Sequence, residues 1–120
     1  MRESILLKNI SVLEEKDRKQ FQKWLESPLF NKRADLIALF QLIHKSIDKN
    51  PKTLIKRTAW DLIYPNEVYQ EAKLNLIMSL LLQQLRAFLA WQAWQADEAA
   101  QQVYLCRALR SLGLDADIVS

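Results

Sequence analysis

A chain of 120 residues with a net charge of +3 is long enough for one domain with its own core, with no need of disulfides or a structural metal. Half of its residues are apolar and 26% are charged, which excludes a disordered or fibrous chain. One Gly and three Pro exclude most sheet architectures, because hairpins and bulges lean on Gly and Asn-Gly pairs.

The first predicted helix covers residues 3–10, with Ile5, Leu6 and Ile10 as its apolar face. A second starts at about Glu14, where Glu14, Glu15 and Asp17 suit the positive end of a helix dipole. Phe21, Trp24 and Leu25 form its buried stripe, and Pro28 ends it by disfavouring helical geometry at the preceding residue. Asn31 is the expected N-cap of a third helix, in which Leu36, Ile37, Phe40, Ile43 and Ile47 recur at helical steps, widened by Leu39 and Leu42. Asn50-Pro51 closes that helix. Thr53 is the expected cap of a fourth, whose face is Ile55, Ala59, Leu62 and Ile63 and whose end is Tyr64-Pro65-Asn66.

From Glu67 to Leu112 there is neither proline nor glycine, so two helices share the stretch. The first is predicted to be long and central. Leu74, Ile77, Met78, Leu81, Leu85, Phe88 and Leu89 lie on one face, with Leu76, Leu80 and Leu82 on the others. The acidic pair Asp97-Glu98 marks the start of a last helix, which presents Val103, Cys106 and Leu109. Gly113 and Leu114 fit a Schellman ending. The predicted fold is therefore all-α, one bundle of about six helices around one long helix. It has room for no more than the beginning of an α-solenoid, whose units run roughly 34 to 45 residues.

The N-terminal segment carries no secretory signal, with only Ile5, Leu6 and Leu7 as an apolar run. Residues 74–90, the most apolar stretch, are interrupted by Asn75, Ser79, Gln83, Gln84 and Arg86, too short and polar to span a bilayer. A cytoplasmic protein without a membrane partner is the expectation. The lone Cys106 suits a reducing compartment, and a small core residue is its simplest reading.

Four stretches, taken in order, resemble a known family. They are Phe21, Trp24 and Leu25 running into Ser27-Pro28-Leu29-Phe30-Asn31; Leu62-Ile63-Tyr64-Pro65; residues 74–90 with Met78-Ser79-Leu80 and Phe88-Leu89-Ala90; and residues 105–109 followed by Leu112-Gly113-Leu114-Asp115. They resemble the N-terminal helical region of a family of uncharacterised bacterial proteins, common in Bacteroidetes and usually longer. Leu29 stands where an aromatic is frequent and Asn75 where an arginine is frequent. The resemblance implies helical architecture and a cytoplasmic setting but no activity. It also implies that a longer protein continues past Ser120, with further helices packing on Trp91, Trp94 and Tyr104.

Reactive groups are sparse. Three or four converging ligands make a metal site, and His44 and Cys106 are the only strong candidates; a solvated or edge histidine is the simpler reading of His44. The pairs Glu14-Glu15 and Asp97-Glu98 point about 100° apart on a helix and cannot face each other as general acid and base. A single Gly excludes phosphate-cradling loops. The sequence therefore predicts a non-enzymatic protein with no catalytic residue, metal or cofactor.

Two surfaces point to binding instead. Trp91 and Trp94 lie one turn apart in a Gln- and Ala-rich stretch, and with Tyr104 they fit a protein interface. The expected partner is another protein, a second copy of this chain, or downstream helices. The second surface is electrostatic: residues 1–60 carry thirteen Lys and Arg against seven Asp and Glu, and residues 61–120 four against seven. Lys45, Lys49, Lys52, Lys56 and Arg57 flank a proline turn between two helices, which as an alternative predicts a helix-turn-helix-like edge for nucleic acid. That alternative is the weaker one, since helix four offers no cluster of residues suited to base edges.

Overall fold

A computed structural model describes residues 2–47 and 56–114, with side-chain environments from residue 5 onward. The described residues form six helices and no strand: α1 (Arg2–Ser11), α2 (Glu15–Glu26), α3 (Ala34–Ile47), α4 (Lys56–Ile63), α5 (Glu71–Gln95) and α6 (Glu98–Ser111). The chain divides into two compact units, Met1–Arg86 and Ala87–Ser120. Because α5 runs unbroken through the division, no linker composition marks it.

In the first unit α3 is the hub, packing against α1, α2 and α4. Its stripe seals the core with Leu36, Leu39, Phe40 and Ile43 all buried. Phe40 meets Phe21 of α2 edge to face, ring centres 5.0 Å apart, the arrangement that ring quadrupoles favour. Leu6 and Ile10 of α1 are buried, while Ile5 is exposed, so the apolar face of α1 is narrower than predicted.

Pro28 acts as expected. α2 stops at Glu26, and Ser27, the residue before the proline, is extended (φ −81, ψ 118). Asn31 does not act as predicted, because α3 begins three residues later at Ala34. Instead its buried carboxamide ties the turn together, donating to Leu25 O at 2.8 Å and to Arg33 O at 3.1 Å and accepting from Arg33 N at 3.2 Å. Phe30 stacks on Trp24 at 3.9 Å, and Gln84 bridges the two by accepting from Trp24 Nε1 and donating to Phe30 O. Within Ser27-Pro28-Leu29-Phe30-Asn31, hydrogen bonding accounts for Asn31 and stacking on Trp24 for Phe30, while Leu29 is 83% exposed.

Helix α4 buries Ala59 and Trp60, and the Trp60 indole N–H donates to Glu67 O at 3.0 Å. Leu62 was expected on the same face but is 63% exposed; two residues beyond Trp60, it points about 200° around the helix from it. Asn66 closes the turn in left-handed geometry (φ 67), which Asn tolerates better than most residues. The expected cap Thr53, the core position Ile55, the helix end at Asn50-Pro51 and the basic residues Lys49 and Lys52 lie outside the described residues.

Helix α5 is the long helix of the fold. Leu74, Ile77, Met78, Leu81, Leu82, Leu85 and Phe88 are buried along it. Enclosure is not complete on every side, for Leu76 is 51% exposed and Leu89 also reaches solvent. At 25 residues α5 is long and apolar enough to cross a membrane by length and composition, which corrects the estimate made from residues 74–90 alone. Burial of this stripe accounts for part of that apolarity, with 39% of the most apolar stretch buried.

Candidate functional site

The second unit consists of the last turns of α5, a tight turn and α6. Its backbone is well satisfied. Asp97 caps α6 by accepting from Ala100 N at 3.0 Å, and Gln101 donates from Nε2 to both Trp94 O and Gln95 O at 2.9 Å. Those bonds fill donors and acceptors that helix ends leave open, and they place the boundary where Asp97-Glu98 predicted it. At the far end Gly113 is left-handed (φ 74). Leu114 N bonds Leu109 O at 2.8 Å and Gly113 N bonds Arg110 O at 3.0 Å, the two bonds of a Schellman ending.

The side chains of this hairpin are less well provided for. No residue of α6 is buried. Val103, Tyr104 and Leu105 on it and Leu112 at its C-cap are exposed, and Cys106 and Leu109 are only half-buried. The predicted face of Val103, Cys106 and Leu109 is therefore not buried; among the described residues of this unit only the end of α5 and α6 are helical. Trp91, Trp94 and Tyr104, the residues expected at an interface, are 38%, 37% and 55% exposed. Trp91 leans on the buried Phe88 with ring centres 6.2 Å apart, and the Arg107 guanidinium lies 5.2 Å from the centre of the Tyr104 ring.

On the basic edge, Lys45, Lys56 and Arg57 are the described members. Lys45 is exposed at the end of α3. Lys56 lies 3.5 Å from Glu71 and donates to Asn75 at 3.4 Å, and Arg57 sits over Tyr69 at 5.3 Å. Both α4 cations are thus engaged by the chain itself, which lowers what they offer to phosphates.

Two further constellations in the first unit escaped sequence reading. One is a polar clasp between α3 and α4, in which Tyr64 Oη donates to Asp35 at 2.5 Å while Arg33 grips the same carboxylate at 2.8 and 3.0 Å. The Arg33 hydrogen bonds outweigh partial burial and hold Asp35 below the usual carboxylate range. Burial first, and the Asp35 bond second, push the Tyr64 hydroxyl up to about 12. A phenol held protonated this firmly is a hydrogen-bond donor and a poor base. Lys73 lies 4.1 Å above the same ring, so the clasp reads as structural.

The other is a cavity of about 330 Å³ between α2 and α3, lined by Arg18, Lys19, Gln22, Lys23, Glu26, Phe40 and His44. His44 is half-buried and stacked 5.8 Å from Phe40, more enclosed than a solvated histidine. No sequence signal could have found this groove, because α2 alone shows an ordinary charged face. Among the described residues no group of three His, Cys, Asp or Glu could hold a metal ion. Comparison with family models, with curated proteins and with solved structures finds no match. Among the described residues the fold is all-α with six helices, and α6 buries none of its side chains.

Proposed function

We propose that this chain is a non-enzymatic interaction module, a helical adaptor that binds another protein or its own copies through the hairpin of residues 87–114. One observation carries the reading: α6 buries none of its residues although it is well capped and carries Val103, Tyr104, Leu105 and Leu109. A helix in a folded protein covers its apolar stripe with another layer, and contiguous apolar surface left in water marks interaction sites. Exposed tryptophan and tyrosine supply the residue types that dominate interface energies. The setting we infer is cytoplasmic, with neither a membrane nor a cofactor involved.

Light scattering on the eluting protein tests the self-assembly form. Mass above the monomer at micromolar concentrations, reduced by joint replacement of Trp91 and Trp94 with Ala, is the expected outcome. A strict monomer that is unchanged by the double substitution would remove self-association from the proposal and leave only a different protein as partner.

A further inference from the structure

We propose that the groove between α2 and α3 is a binding site for a small aromatic anion, one that carries a carboxylate or phosphate on an apolar ring. The site lies within the first unit and is independent of the hairpin surface. Its volume of about 330 Å³ falls at the small-molecule end of ligand pockets, which run from roughly 300 to 1,000 Å³. The α2 wall is one helical face, Arg18 and Gln22 in one row and Lys19, Lys23 and Glu26 beside it. The α3 wall is Phe40 and His44, one turn apart with their rings stacked.

Charge selects the ligand. Three cations face one carboxylate, and that carboxylate, Glu26, already accepts from Gln22 Nε2 at 3.2 Å. Arg18 is held in place by donating to Ser11 O at 3.1 Å at the end of α1, so the cation is positioned before any ligand arrives. A preset guanidinium loses less freedom on binding than a free one. Two ring or guanidinium nitrogens of the lining, Arg18 Nε and His44 Nδ1, are buried without a hydrogen-bond partner. Such orphaned atoms are rare in folded proteins and mark places where a partner is missing or the packing is used for something else. The stems of Arg18, Lys19 and Lys23 make the walls mostly apolar, with the buried Phe40 behind them, which suits a ring below an anionic head.

Titration of the full chain by amide NMR with phenylacetate, phenyl phosphate and the neutral phenylacetamide tests this. Saturable shifts confined to residues 18–26 and 40–44 with at least one anion, and none with the amide, are expected; the two anions report which head group is preferred. Lys19 and Lys23 are exposed, so the joint variant K19Q/K23Q keeps the fold and weakens anion binding by roughly tenfold. R18Q weakens it further, and if R18Q fails to fold the lysine pair decides. Absence of saturable shifts in the millimolar range, equal binding of the neutral amide, or unchanged affinity in K19Q/K23Q would each overturn the proposal.

Discussion

The two units treat the same kinds of side chain in opposite ways. In the first, Phe21, Phe40 and Trp60 are sealed, because α3 has neighbours on three sides. In the second, Trp91, Trp94 and Tyr104 reach solvent although α6 is capped at both ends. Local sequence signals therefore govern whether a helix forms, and the number of neighbouring helices governs whether its apolar face is used. A finished hairpin with an unfinished packing layer is what an interaction module needs.

The contrast is sharpest in stability. Trp60→Ala or Phe40→Ala removes a fully buried ring and is expected to cost about 3–5 kcal/mol in urea unfolding. Trp94→Ala, at a side chain 37% exposed, is expected to cost less, about 1–2 kcal/mol in the monomer. Comparable losses at Trp94 and Trp60 would break the distinction. Next in size is Asn31→Ala, which leaves the buried carbonyl of Leu25 without its 2.8 Å donor and is expected to cost about 1–3 kcal/mol. Smaller again, and confined to the hairpin, are Asp97→Ala at about 1 kcal/mol and Gly113→Ala at about 1–2 kcal/mol, since a side chain at φ 74 is strained even with open space around it. Helicity measured in α6 should fall while the first unit is untouched.

The clasp between Asp35 and Tyr64 ties the first unit to pH in two directions. Asp35 is held below its ordinary 3.8 in the folded chain, so its contribution is present above that value and is lost as pH falls through the depressed one. Tyr64 is raised from 10.0 to about 12, so its contribution is complete below pH 10 and is lost as pH rises toward 12. Tyr64→Phe should flatten the alkaline limb of a stability profile and leave the acid limb, which Arg33 mainly sets. An alkaline limb that persists in Tyr64→Phe would assign it elsewhere.

Much of the fold was legible because punctuation is local. Pro28, the Asp97-Glu98 pair and the Gly113-Leu114 ending each act within a few residues, and each lies where the sequence put it. What was illegible depends on partners distant in sequence. Asn31 was assigned to the helix after it and bonds the helix before it; Leu62 matched the stripe but turns away from Trp60. His44 and the charged face of α2 become a cavity only when α2 and α3 pack together. The Trp91, Trp94 and Tyr104 surface could be suspected from residue type, but its exposure follows from a layer that no sequence pattern counts.

Amide hydrogen exchange, followed from dilute to concentrated protein, tests most directly whether the hairpin is the unfinished part of the molecule. Amides of α3 and of residues 74–85 should exchange only through global unfolding. Those of α6 should exchange orders of magnitude faster when dilute and become protected as concentration rises or a partner is added. Protection in dilute α6 equal to that of α3 would contradict the account, since a helix with its apolar face uncovered cannot share the stability of one that is sealed.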